Sequence, residues 1–113
     1  MKKVALSEVK SYEAPGHFGM VAMRVCGKEE NGATKFWVGC SQFLPGGGAE
    51  WAYEDNPLEK YYYVLDGEIT CKTKDQEITV GPNEGVFFAP NEGRSILNKT
   101  NKTTTMLVVI NYP

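Results

Sequence analysis

Residues 45–69 read PGGGAEWAYEDNPLEKYYYVLDGEI: a proline–glycine corner, a mixed aromatic and acidic stretch, and an aromatic strand closed by Asp66-Gly67. The centre of that strand, YYYVL at 61–65, has the aromatic and β-branched composition that suits a pleated, half-buried surface. Strand signals of the same kind recur outward from it. Downstream come EITCKT at 68–73, a tight turn at Lys74-Asp75, QEITV at 76–80, the loop GPNEG at 81–85, VFFAP at 86–90 and TTTMLVVINY at 103–112. Upstream, MVAMRVCG at 20–27 and FWVGCSQFL at 36–44 flank an Asn31-Gly32 pair, a strong hairpin signal. The glycines at 46–48 read as a flexible corner, and NKTNKTTT at 98–105 as one polar hairpin loop. Pro45, Pro57, Pro82 and Pro90 fall at expected strand ends, where a missing N–H costs no ladder bond. No window carries helical spacing of apolar residues. The pattern predicts an all-β protein whose short antiparallel strands hide their edges in a barrel or double sheet.

The chain has 113 residues, enough for one core without disulfides or a structural metal. One domain over 1–113 is expected, with an N-terminal strand or arm at 1–18. Twelve basic and 14 acidic side chains leave a net charge of −2 with no long block of one sign. That balance argues against nucleic acid and anionic membrane surfaces as partners. The apolar run near the N-terminus, Val4-Ala5-Leu6, is too short for a signal core, and no later stretch is long enough to span a bilayer as a helix. Cys26, Cys40 and Cys71 are odd in number and far apart, so free thiols and a reducing, cytoplasmic setting are expected.

Residues 45–69 resemble the first conserved motif of the cupins, in which a Pro-Gly corner leads to a His-x-His pair, a glutamate and a turn glycine. GPNEGVFFAPNEGRSILN at 81–98 resembles the second, in which a loop glycine leads through VFxxP to a histidine and an asparagine, here Asn98. The resemblance covers most of the chain. It implies a single-domain cupin jelly-roll β-barrel, commonly a homodimer. The family's metal ligands do not carry over. Counted back from Gly67, the glutamate falls on Lys60 and the histidine pair on Tyr53 and Asp55; counted from Pro45, the pair falls on Ala52 and Glu54. The remaining histidine falls on Arg94 or Ser95. The chain's one histidine, His17, matches none of these positions.

Lys60 and Arg94 would repel a cation by about a kcal/mol each even at water-like screening. The expectation is therefore no metal and no cofactor, with a cationic pocket for a small anionic metabolite. Guanidinium is a planar fork for carboxylate or phosphate, and lysine is a point charge beside it. If Lys60 points inward, Tyr62 and Val64 follow, while Tyr61 and Tyr63 point out. Glu50 lies in phase with Ala52 and Glu54, and Trp51 and Tyr53 join the pocket only if a bulge intervenes. The candidate catalytic residues are His17, Glu50 and Tyr62, and the candidate substrate-binding residues are Lys60, Arg94, Tyr53 and Trp51. The reaction class would be proton transfer, as in an isomerase, lyase or dehydratase. The alternatives are a non-catalytic sensor or carrier using the same pocket, and an unusual metal site built from His17, Glu50, Glu54 and Asp55. Each residue also has a plainer role open to it: Lys60 at a strand start in water, Arg94 bracing a loop, Tyr62 as core, Glu50 solvated and His17 structural.

Overall fold

The computed structural model describes all 113 residues. Its strands are β1 (Ser11–Tyr12), β2 (His17–Cys26), β3 (Phe36–Ala52), β4 (Lys60–Asp66), β5 (Ile69–Lys72), β6 (Glu77–Val80), β7 (Gly85–Phe88), β8 (Arg94–Leu97) and β9 (Thr104–Asn111). They form one antiparallel sheet in the order β6-β5-β8-β3-β9-β4-β7, with β2 and then β1 added alongside β3, rolled into a nearly closed barrel. This is the all-β jelly-roll barrel expected from the sequence. A single 3-10 turn, Leu6–Glu8, precedes the strands, and no helix is long and apolar enough to cross a membrane.

Side-chain alternation sets the core. In β4, Lys60, Tyr62 and Val64 turn inward while Tyr61 is exposed. In β9, Thr104, Met106, Val108 and Ile110 are buried and the residues between them are half-buried. Phe43, Ile69, Phe88 and Ile96 complete the apolar interior from the facing strands. Each such side chain fully buried stabilises the fold by about 1.5–3 kcal/mol.

β3 does what the sequence did not suggest. It continues through the glycine corner to Ala52, and Pro45 lies inside it. Phe36–Phe43 pairs with β9, whereas Gly48, Ala49 and Ala52 pair with β8, so one strand serves both faces of the barrel. The corner is a bend: Gly46 takes φ 81°, and a Cβ on Gly47 or Gly48 would run into the carbonyl oxygens of Gly19 or Ile96. Asn98, fully buried, fastens this bend. Its amide nitrogen donates to the carbonyls of Phe43 at 3.0 Å, Leu44 at 3.2 Å and Lys102 at 2.7 Å.

Other connections also differ from the local reading. β4 and β5 do not pair with each other, so Asp66-Gly67 carries the chain from one face of the barrel to the other. Residues 98–105 likewise cross between faces, because β8 pairs with β3 and β5 while β9 pairs with β3 and β4. Arg94–Leu97 is a strand in its own right, and β2 begins at His17. The Asn31-Gly32 hairpin does match the sequence reading: residues 27–35 join the antiparallel pair β2 and β3, with Gly32 at φ 85° and the Asn31 side chain accepting from the backbone N–H of Gly27 and Ala33.

Candidate functional site

A cavity of about 750 Å³ opens among β2, β3, β4, β8 and β9, with residues 12–15 and 53–56 at its rim. His17, Glu50, Trp51, Tyr53, Tyr62 and Arg94 all line it. Lys60 does not.

Arg94 forms the cationic floor. It is 1% exposed, its Nε donates to Tyr62 Oη at 2.8 Å, and an Nη donates to the Glu50 carbonyl at 3.1 Å. No carboxylate pairs with it; the one ion pair of the protein joins Lys99 to Glu77 at 3.6 Å on the outside. Burial pushes the Tyr62 hydroxyl up to about 12, with Arg94 pulling the other way. Tyr62 therefore keeps its proton at every physiological pH, accepts from Arg94 and has that proton to donate.

Tyr53 is held in the left-handed region at φ 73°, a strained conformation for a tyrosine. The register of β3 against β8 shifts between Ala49 and Ala52, which supplies the bulge that brings Trp51 and Tyr53 to the cavity. Arg94 Cζ lies 4.9 Å from the Tyr53 ring centroid and Lys60 Nζ lies 4.3 Å from it. Lys60 is thus a buried ammonium against the Tyr53 ring, donating to the Leu58 carbonyl at 3.2 Å, and not a group on the cavity wall. Burial, with Arg94 nearby, lowers its pKa, and Glu92 opposes that shift. The plain reading of a solvated strand-start lysine does not hold at 1% exposure.

His17 pairs with Ala49 across β2 and β3, next to Glu50. Its Nδ1 lies 3.0 Å from the Pro15 carbonyl, which can only accept, so Nδ1 carries the hydrogen and Nε2 keeps its lone pair. Burial lowers the pKa of His17 and Arg94 lowers it further, against the Pro15 hydrogen bond. The Glu50 carboxylate lies beside Gly16, where an added Cβ would stand 3.9 Å from Oε2, and the Glu50 N–H donates to the Gly16 carbonyl at 2.9 Å. Glu54, at the rim, accepts from Trp51 Nε1 at 3.1 Å. Cys71 is inert, its thiol pushed up to about 12 by burial.

The family's metal does not fit these residues. Counted back from Gly67, with Arg94 in the place of the last histidine, its four ligand positions carry Tyr53, Asp55, Lys60 and Arg94, a single carboxylate against an ammonium and a guanidinium. No three His, Cys, Asp or Glu side chains gather into a group that could hold an ion. His17, Glu50, Glu54 and Asp55 do not form such a group either.

Arg24, Trp37 and Tyr12, also on the cavity wall, were not singled out from the sequence. The alternation of Met20, Ala22 and Arg24 in β2 was the available signal, since these three share one inward face.

The sequence model of the family described as the cupin domain matches residues 40–110. A protein of Mycobacterium tuberculosis named as a beta-D-galactosidase is 37% identical over 113 residues, covering 100% of this chain and 96% of that protein. Among solved structures, the polyketide cyclase RemF of Streptomyces resistomycificus superposes with a TM-score of 0.85 at 24% identity, over 98% of this chain and 79% of that one. A sugar phosphate isomerase from the cupin superfamily of Silicibacter pomeroyi superposes with a TM-score of 0.80 at 18% identity, over 99% and 76% of the two chains. The two structural likenesses speak to the fold alone.

Proposed function

The chain belongs to the cupin family, and from that premise we propose that it is an enzyme that moves a proton on a small anionic metabolite, using side chains in place of a metal. The observation that carries this reading is Arg94, a buried guanidinium with no carboxylate partner at the floor of the cavity. A buried unpaired cation is costly, and an anionic ligand offsets that cost. A substrate carboxylate or enolate oxygen would take the remaining N–H groups of Arg94 and the proton of Tyr62. The unprotonated Nε2 of His17 would receive the proton, with Glu50 beside it as a second base or acid. Isomerisation, epimerisation, dehydration and lyase steps share this chemistry. Three free cysteines suit a reducing cytoplasm, and exposed Tyr61 and Phe87, opposite each other on β4 and β7, suit a homodimer contact.

One observation favours a second reading. Glu50, Glu54, Asp55 and Trp51 crowd the rim, and tryptophan with carboxylates is a wall suited to sugar hydroxyls. The 37% identical relative is named as a beta-D-galactosidase, so glycoside hydrolysis belongs in the test.

The test is calorimetric titration and thermal shift with small carboxylates, phosphates and an aryl β-D-galactoside. Exchange of the carboxylate's α-proton for deuterium is then followed by NMR. Carboxylate binding that Arg94→Met abolishes, with exchange that His17→Gln slows, is the expected result. Binding without exchange would make the protein a sensor or carrier. Hydrolysis of the galactoside with no carboxylate binding would establish the second reading instead.

A further inference from the structure

Arg94 is one of two arginines on the cavity wall, and Arg24 is the other. Its guanidinium carbon stands 4.8 Å from the Tyr12 ring centroid and 4.8 Å from that of Trp37, whose planes meet edge to face at 88°. Two aromatic rings at right angles hold the guanidinium in their corner and fix its direction. Its Nε is buried without a hydrogen-bond partner, and no carboxylate comes within ion-pair distance. The carboxylate close by is Glu30, whose Oε1 is also buried and without a donor; both groups crowd Gly27 without bonding each other. Arg24 is therefore a half-buried, oriented guanidinium whose Nε–H lacks a partner within the protein.

Its place relative to Arg94 follows from the register. Arg24 pairs with Gly39, Gly39 with Val108, and Val108 with Tyr62. Arg24 and Tyr62 therefore stand in one row across β2, β3, β9 and β4, three strand spacings or roughly 14 Å apart along the sheet. Tyr62 is the residue that holds Arg94. Between the two ends, Val108, with Met106 and Ile110 on either side of it along β9, makes the wall mostly apolar, Ser41 being its polar member. An apolar trough with one guanidinium toward each end matches a ligand that is anionic at both ends and apolar between them.

We propose that Arg24 is a second oxyanion subsite, and that the cavity selects a small dicarboxylate-type metabolite lying between Arg24 and Arg94. This deepens the proposed function and rests on its reading of Arg94. The experiment is calorimetric titration of aliphatic dicarboxylates from malonate to pimelate, with monocarboxylates of matched length, into wild type, Arg24→Met, Arg24→Lys and Arg94→Met. In wild type, one dicarboxylate length binds about tenfold or more tighter than its monocarboxylate. Arg24→Met brings that dicarboxylate down to the monocarboxylate's affinity. Arg24→Lys recovers only part of the difference, because an ammonium keeps the charge but lacks the planar fork. Arg94→Met weakens both classes.

Equal affinity of wild type for the two classes overturns the second subsite and leaves the reading of Arg94 intact. Loss of selectivity only in an Arg24→Met protein that melts far below wild type would be ambiguous alone, so the folded Arg24→Lys variant decides. If it binds both classes as wild type does, the subsite is wrong. No binding of either class to wild type overturns this inference together with the anionic reading it rests on.

Discussion

At the scale of single residues, Arg94 has opposite effects on ligand and on fold. Charge-assisted hydrogen bonds to a ligand are worth about 1.5–3 kcal/mol, so Arg94→Met should weaken carboxylate binding by about ten- to a hundredfold. The same change removes an unpaired cation from a site 1% exposed. It forfeits bonds to Tyr62 and the Glu50 carbonyl but relieves a desolvated charge, so stability should stay within about 1 kcal/mol of wild type. Urea denaturation beside calorimetric titration checks both halves, and a variant that fails to fold would make Arg94 a structural residue. His17 supplies a pH test. Its pKa in the folded protein is lowered from 6.5, so the unfolded chain takes up the proton first. The stability His17 contributes is complete above pH 6.5 and is lost as pH falls through its lowered folded value. His17→Gln should flatten that part of the urea-midpoint profile, and an unchanged slope would assign the titration to another group.

At the scale of elements, the decisive feature is the bend of β3. A Cβ on Gly48 would meet backbone atoms of Ile96 that cannot move aside, whereas Gly46 has a positive φ and nothing within 4 Å. Gly48→Ala should therefore cost more than Gly46→Ala, with the latter near the 1–2 kcal/mol of a left-handed alanine. Chemical denaturation of the two variants reads this order directly, and a reversed order would mean that β3 and β8 do not approach as described. Asn98→Ala should destabilise by about 3 kcal/mol, because it strands the Phe43, Leu44 and Lys102 carbonyls at once. The strands legible in the sequence were those whose alternation is local, β4 and β9 above all. The bend was not. A proline followed by glycines is a break to any local reading, and only the partners from β8 and Asn98 turn it into a continuous strand. Asp66-Gly67 and residues 98–105 misled for the same reason: a turn's own residues do not say which strand lies beside the next one.

At the scale of the whole molecule, charge is sorted by depth. Arg94 and Lys60 are buried while Glu50, Glu54 and Asp55 are exposed, so a barrel of net charge −2 has a cationic interior behind an acidic rim. Arg94 and Lys60 are both legible in the sequence as substitutes at cupin ligand positions, but only Arg94 reaches the cavity wall. That distinction needed the cavity itself, which Arg94 and Tyr53 line and Lys60, 4.3 Å from the Tyr53 ring centroid, does not. Arg24 escaped because a lone arginine in a strand is ordinarily solvated, and its aromatic partners Tyr12 and Trp37 lie on other strands. The sorted charge also yields a prediction for the purified protein. An ion bound at a hundred times its Kd adds about 2.7 kcal/mol to stability. For a domain of this size that raises the melting temperature by roughly ten degrees. With guanidinium and ammonium groups at the family's ligand positions, dialysis against a chelator should leave the melting temperature and ligand affinity unchanged. Re-addition of manganese, iron or zinc should not raise either. A fall of several degrees on chelation, restored by one of these ions, would mean that the acidic rim gathers around a cation in solution, and that Arg94 serves that site by orienting the Glu50 backbone.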